Sequence, residues 1–346
     1  SKDPAATFVL LDRFVRHNLM ANDDERLSAA LIAYLLWKID LGRTADNIAS
    51  SNLWYVLAAV GIYIATLVPM AWRWGILLAS KGVHEPLRWL LRLYFIGYAA
   101  SQVLPTGIGG DAVRIVEHVR RRPTVKAETA GAVLMERVVG SAGVLVVVAI
   151  GLVLAVGRYD DIGPFIWVEV ASVVALVVFG VLLFSRRAFA LVERHVFTRG
   201  SGLRLQRALR AVWTALHGYR WQTRALALAL AATVAVQFVR IIAIWLCGEA
   251  VGVDVSPLVY IILGPLLFLV TMIPITVNGL GVRESFFVFF LERFGVGADA
   301  AFAAGFLFFA VTVATALPGG FILAWRSLRG GYTWASRRER ARAETS

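Results

Sequence analysis

A short motif that ends in arginine occurs twice in this sequence. The copies read LPTGIGGDAVR, ending at Arg114, and IPITVNGLGVR, ending at Arg283. Both contain an aliphatic residue, proline, four residues, glycine, two residues and Val-Arg. Proline and glycine interrupt a helix, so each arginine falls in the first turn of a new one. Helix N-termini, free amides and arginine bind oxyanions, so the motif predicts an anion site, most simply for phosphate.

Carboxylates near the motifs are candidate partners for these arginines. Asp111 lies inside the first motif, and Glu284 follows the second directly. The adjacent pair Glu136-Arg137 lies in the next apolar segment. This pair either contacts a substrate or joins two helices.

Other polar residues lie within the motifs or inside apolar segments. Thr106 and Asn278 either contact a ligand or hydrogen-bond the loop backbone. Arg240 lies well inside an apolar segment, whereas Arg73 lies near the end of one, where arginine commonly anchors a helix at the membrane interface. We predict substrate contacts from Arg114, Arg283, Asp111, Glu284, Asn278, Thr106, Arg240, Glu136, Arg137 and Arg73, and helix breaks at Pro105, Gly109, Gly110, Pro274, Gly279 and Gly281.

The composition is that of a polytopic membrane protein. Of the 346 residues, 59% are hydrophobic and only 17% are charged. The net charge of +12 comes from basic residues between apolar segments, which indicates membrane orientation and contact with anionic lipids rather than nucleic-acid binding. The single cysteine, Cys247, and five scattered histidines offer neither a disulfide framework nor metal-ligand spacing. We expect no metal ion and no cofactor.

The apolar segments predict an all-α fold with about six transmembrane helices. Six segments are candidate spans, the first of which needs its flanking residues to reach across a bilayer. They are 27–41, 53–79, 129–156, 164–184, 225–247 and 300–325. Two more apolar segments, 87–119 and 258–291, contain a motif in the middle, and neither arm of either segment is long enough to cross alone.

Lysine and arginine are concentrated in alternate loops, which indicates the side of the membrane that each loop faces. The loops expected in the cytoplasm are 81–92, 120–126, 186–224 and 326–342, and those expected outside are 40–52, 158–163, 248–256 and 292–299. Segment 87–119 therefore enters and leaves on the cytoplasmic side, and segment 258–291 does so on the outer side. The sequence predicts two re-entrant hairpins that point toward each other.

This topology divides the chain into an inverted-topology repeat. Residues 27–157 form the first repeat, and residues 158–326 form the second, which includes a basic cytoplasmic connection at 186–224. We expect an interfacial segment at 1–26, a basic cytoplasmic tail at 327–346, and both termini in the cytoplasm. Non-helical backbone at membrane depth requires surrounding protein or a wet cavity, so the tips predict a cavity.

The two motifs and Glu136-Arg137 together resemble the flippase-like transmembrane domain of lysylphosphatidylglycerol synthases and their stand-alone relatives. The resemblance covers about residues 27–326. It implies transfer of a lipid, often one with a charged or glycosylated headgroup, between leaflets of a bacterial or archaeal cytoplasmic membrane. No aminoacyltransferase domain follows the membrane region in this sequence, so we expect no lipid modification by that chemistry.

Three functions are compatible with the sequence. The leading one is ATP-independent flipping of an anionic or headgroup-modified lipid, because the sequence has no Gly-x4-Gly-Lys-Ser/Thr loop. Its partners would be phospholipids, aminoacylated lipids or polyprenyl-linked lipids, and an oligomer is possible. The second is a membrane-embedded lipid phosphatase or transferase that uses Asp111, Glu136 or Glu284, although no nucleophile cluster accompanies them and we expect no enzyme. The third is a proton-coupled transporter of small solutes.

Overall fold

The computed structural model describes residues 41–103, 109–155, 212–272 and 281–328, with isolated positions between 167 and 185. Every regular element in these ranges is helical. The expected spans at 27–41 and 164–184 lie almost entirely outside the described residues, as do segments 1–26 and 329–346.

The first half of the described chain contains six α-helices. They are α1 (Leu41–Ala49), α2 (Leu53–Ala65), α3 (Leu67–Ala79), α4 (Leu87–Val103), α5 (Gly109–Arg121) and α6 (Lys126–Ala155), the last preceded by a 3-10 turn at Pro123–Val125. The span predicted over 53–79 is confirmed as one apolar helical stretch, with a local interruption of the helix at Thr66. Pro69 has no N–H to donate to the Ala65 carbonyl, which accounts for the break.

The second half continues with residues 212–217, which are helical, and four longer helices. They are α7 (Thr223–Ala250), α8 (Pro257–Met272), α9 (Val282–Leu291) and α10 (Ala298–Leu328), with a 3-10 turn at Glu292–Phe294. The arms of the two predicted hairpins correspond to α4 with α5 and to α8 with α9. Their tips, 104–108 and 273–280, lie outside the described residues.

Four helical stretches among the described residues are long and apolar enough to cross a membrane. They are Leu53–Ala79, Pro123–Gly151, Thr223–Ala250 and Ala298–Arg326. The stretch Pro257–Phe268 is apolar but shorter, as expected for one arm of a hairpin. The protein is therefore an all-α membrane protein.

Helices of the two halves pack closely against each other. The first arm of each hairpin lies against the last long helix of the other half, α4 against α10 and α8 against α6. Both α2 and α3 pack along α7. A Cβ atom at Gly319 of α10 would lie 1.9 Å from the Phe95 carbonyl oxygen of α4, so this contact requires glycine.

Two apolar cores hold these helices together. One contains Trp74, Leu93 and Met135 and joins α3, α4 and α6, while the other joins α2, α7, α8, α9 and α10. The described end of the basic connection packs within the first core, because Leu216 is only 3% exposed. Nearby, the Tyr219 hydroxyl donates to the Leu77 carbonyl at 3.3 Å. The end of the basic connection is thus fixed to α3.

Candidate functional site

The carboxylate of Glu136, on α6, lies at the centre of a buried charge network. Arg73 on α3 donates to Oε1 of Glu136 from Nη2 at 2.8 Å and from Nε at 3.2 Å. Arg114 on α5 donates from Nη2 to Oε2 at 3.0 Å. All three residues are at most 6% exposed. One carboxylate is therefore held between two arginines from different helices.

Asp111 adds a second carboxylate to this network and connects it to a third arginine, Arg137. Its Oδ1 lies 2.5 Å from Nη2 of Arg114, and its Oδ2 lies 2.6 Å from Nε of Arg137. We define the first cluster as Arg73, Asp111, Arg114, Glu136 and Arg137. With three arginines and two carboxylates, it carries an excess of one positive charge.

Neighbouring side chains complete the first cluster. The Tyr94 hydroxyl donates to Oε1 of Glu136, and Nη1 of Arg73 donates to Oγ1 of Thr233 at 2.7 Å. The Arg114 guanidinium lies 4.2 Å from the centre of the Tyr94 ring. Nη1 of Arg114 is buried without a hydrogen-bond acceptor among the described residues. This N–H group could donate to an oxyanion.

The second motif places Arg283 in the first turn of α9. It is 5% exposed, and its Nη1 donates to Oγ1 of Thr312 on α10 at 3.3 Å. Its guanidinium lies 5.4 Å from the centre of the Phe308 ring. Glu284 instead turns back and accepts from the Gly281 N–H at 2.6 Å, which caps the start of α9 from the glutamate side alone, because Gly281 has no side chain for the reciprocal bond. Gly281 has a φ of 84°, a conformation that favours glycine.

Arg240, on α7, lies near this second arginine. Its Nη2 is 3.0 Å from Sδ of Met70, and its guanidinium lies 4.9 Å from the centre of the Tyr63 ring. The Tyr98 ring on α4 lies edge-on to that of Tyr63, with ring centres 6.5 Å apart. We define the second cluster as Tyr63, Tyr98, Arg240, Arg283 and Thr312.

The glycines at the end of the first motif allow the hairpin arms to meet. Gly109 and Gly110 begin α5 and are buried. A Cβ atom at Gly110 would lie 2.4 Å from the carbonyl oxygen of Gly97 on α4. Five predicted site or breaker residues lie outside the described residues: Pro105, Thr106, Pro274, Asn278 and Gly279.

One pairing suggested by sequence adjacency, Glu136 with Arg137, differs in the structure. Glu136 contacts Arg73 and Arg114 rather than Arg137, because consecutive residues on a helix point in different directions. Arg137 reaches Asp111 instead. Arg73, expected as an interfacial anchor, is buried in an ion pair. The position of Arg73 near the end of an apolar segment does not indicate that a carboxylate on another helix is its partner.

Sequence reasoning missed several contributing residues. Thr233 and Gln237 lie on the same face of α7 as Arg240, at the spacing of one helical stripe. Tyr94 and Tyr98 are likewise four residues apart on α4. Polar residues that recur on one face of an otherwise apolar helix were therefore the available signal.

The similarity to known proteins is extensive. The family model for the lysylphosphatidylglycerol synthase TM region matches residues 26–320. A "UPF0104 membrane protein" of Methanothermobacter thermautotrophicus is 23% identical over 296 residues, which cover 80% of this chain and 87% of the relative. Because the family match spans far more than half of the sequence, this chain belongs to the lysylphosphatidylglycerol synthase transmembrane-region family.

Proposed function

We propose that this protein transfers an anionic or headgroup-modified lipid between the leaflets of a bacterial or archaeal cytoplasmic membrane without hydrolysing ATP. The observation that carries the proposal is the presence of a buried arginine near the start of both α5 and α9, the helices that follow the two motif tips. Arg114 and Arg283 are 6% and 5% exposed. Arginine at membrane depth is costly unless it meets water, a counter-charge or an anionic ligand. Asp111 and Glu136 already pair with Arg114, but its Nη1 is buried without an acceptor among the described residues. A phosphate-bearing headgroup would supply that acceptor while its acyl chains remain in the bilayer.

The proposed architecture is an inverted-topology repeat with about six spans, opposed hairpins and cytoplasmic termini. The reciprocal packing of α4 against α10 and of α8 against α6 supports it. In such repeats, substrate sites lie near the membrane middle, where the two halves meet. Rocking of one half against the other would expose the site to each leaflet in turn.

The two clusters lie one after the other along the axis of α7. Thr233 contacts the first cluster, and Arg240, seven residues later, belongs to the second. This spacing corresponds to about 10 Å along the helix. With the basic connection before α7 in the cytoplasm, the first cluster lies nearer that side. A headgroup would thus meet two arginine-rich positions during transfer.

Lipid scrambling in reconstituted vesicles tests this function. Vesicles of phosphatidylcholine and phosphatidylglycerol would carry fluorescent phosphatidylglycerol, with the outer leaflet bleached by dithionite. We expect Arg114→Ala and Arg283→Ala each to slow bleaching of the inner leaflet by about tenfold or more, the equivalent of one lost charged hydrogen bond. Arg88→Ala, at an exposed arginine, is the matched control. Wild-type scrambling rates in both variants would refute the site.

A further inference from the structure

We infer that the second cluster binds a phosphate group that bridges Arg240 and Arg283, as Glu136 bridges Arg73 and Arg114. The inference deepens the proposed function and rests on the proposed repeat. The first cluster shows that such an arginine pair holds an anion, because the two oxygens of Glu136 lie 2.8 Å and 3.0 Å from the two guanidiniums. In the first half, the protein itself supplies that anion.

The second half has glycine where the first has this carboxylate. The register that aligns Arg114 with Arg283 aligns Glu136 with Gly305. Gly305 of α10 lies against the first turn of α9, where a Cβ atom would be 3.3 Å from Cα of Glu284. Helix α10 therefore brings no carboxylate to the position that corresponds to Glu136.

Arg240 has no counter-charge among its contacts in the described part of the chain. Its guanidinium contacts the Met70 sulfur and the Tyr63 ring, and its Nε is buried without an acceptor among the described residues. Arg240 lies ten residues before Ala250, the end of α7, or about 15 Å along the helix axis. This places it near the middle of a bilayer about 30 Å thick. An uncompensated arginine at that depth requires an anion or water.

Both arginines of the second cluster meet one aromatic junction. The Tyr63 ring centre lies 5.7 Å from that of Phe308 and 6.5 Å from that of Tyr98. Arg240 lies over Tyr63, and Arg283 lies over Phe308. Arg240 from α7 and Arg283 from α9 therefore contact rings of the same junction, and the inferred phosphate would lie between their guanidiniums.

The donor set fits a tetrahedral oxyanion. Guanidinium groups present several N–H donors in a plane that matches phosphate oxygens, and the hydroxyls of Tyr63 and Tyr98 are further donors. Glu284, the carboxylate next to Arg283, has one oxygen bound to the Gly281 N–H. A phosphodiester of a lipid and free phosphate present the same oxygens, so the experiment must separate these sources.

The test measures thermal stabilisation of the full chain in a neutral detergent. One arm titrates inorganic phosphate at constant ionic strength, with chloride as reference. The other titrates dioctanoyl phosphatidylglycerol, with phosphate-free dioctanoylglycerol as reference. Arg240→Gln and Arg283→Gln are compared with Arg88→Gln, which removes an exposed arginine. Arg240→Lys keeps the positive charge but lacks the planar guanidinium with its paired N–H donors. This variant replaces the glutamine variants in the comparison if they do not fold.

We expect phosphate and the phospholipid to stabilise the wild type and Arg88→Gln alike, with the lipid half-saturating at lower concentration. The ligand concentration at half-saturation should rise about tenfold or more in Arg240→Gln and Arg283→Gln, and by less in Arg240→Lys. The inference is overturned if the ligand concentration at half-saturation is the same in the wild type and in both glutamine variants. If the glutamine variants do not fold, the same comparison is made with Arg240→Lys. Lipid scrambling by the wild type would still support the proposed lipid transfer in that case. Stabilisation by inorganic phosphate alone would support the phosphate site and contradict its use for lipid.

Discussion

The 3.0 Å ion pair between Glu136 and Arg114 ties the returning arm of the first hairpin to α6. Both side chains are buried, at 3% and 6% exposure. The other oxygen of Glu136 holds Arg73, so α3, α5 and α6 meet at one carboxylate. The geometry of the first hairpin depends on this junction, and several predictions test its neighbourhood.

The first prediction concerns the charge of Glu136. Glu136→Gln leaves two buried arginines without their shared counter-charge. Removing one partner of a buried pair typically costs about 3–5 kcal/mol of unfolding free energy. Unfolding of purified protein in detergent should show this loss. Glu117→Gln is the control, because its pairs with Arg120 and Arg326 are partly exposed and should contribute about 0–1 kcal/mol. Equal losses in the two variants would contradict the central role of Glu136.

The second prediction concerns the contact between α10 and α4. Gly319→Ala places a Cβ atom 1.9 Å from the Phe95 carbonyl oxygen, so the helices must separate. Such overpacking typically costs about 1–3 kcal/mol. Gly320→Ala is a matched control, since a Cβ atom there meets nothing within 4 Å. Alanine in an open helix position should stabilise by up to about 1 kcal/mol. Thermal unfolding that does not distinguish the two variants would argue against the close approach.

Several helices among the described residues could be predicted from sequence, because apolar length determines where a spanning helix can extend. Arg283 lies in the first turn of α9, as the Pro-x4-Gly spacing indicates, whereas Arg114 lies in the second turn of α5, because that helix already begins at Gly109. The bounds of α6, Lys126–Ala155, are close to the predicted 129–156. Local pattern was sufficient for these features.

Contacts between helices could not be predicted in the same way. Nothing near Arg73 in the sequence indicates that Glu136 is its partner, because the contact depends on how α3 and α6 pack. The same holds for Arg137, which reaches back to Asp111 on α5. A single sequence records periodicity along a helix but not the rotation of one helix against another.

The third prediction is a pH dependence from His118, in the last turn of α5. Burial lowers the pKa of His118, and nearby Glu85 opposes this shift without reversing it. The unfolded chain therefore binds more protons between the lowered pKa and the ordinary value of 6.5. In the folded protein, Nδ1 of His118 lies 2.8 Å from Oγ1 of Thr129. The stability that neutral His118 contributes is present above that pH window and is lost as the pH falls through it.

Thermal unfolding at about pH 8 and about pH 5.5 checks this sign. The wild type should lose more stability on acidification than His118→Gln, which removes the titrating group. His84→Gln, at an exposed histidine, should behave like the wild type. An unchanged pH response in His118→Gln would assign the effect to other groups.

The fourth prediction concerns the opposed hairpins and uses single cysteines in a Cys247→Ser background. His84→Cys and Thr124→Cys flank the first hairpin, and Asp254→Cys and Gly297→Cys flank the second, all at exposed positions. A membrane-impermeant thiol reagent is applied to right-side-out and to inside-out vesicles. Both positions of one hairpin should react on one face, and both positions of the other hairpin on the opposite face.

This labelling pattern tests the central claim most directly, because two opposed re-entrant hairpins require it. We predict that positions 84 and 124 react only in inside-out vesicles and that positions 254 and 297 react only in right-side-out vesicles. Reaction of the two positions of one hairpin on different faces, or of all four on the same face, would contradict the inverted arrangement and the shared site between the tips.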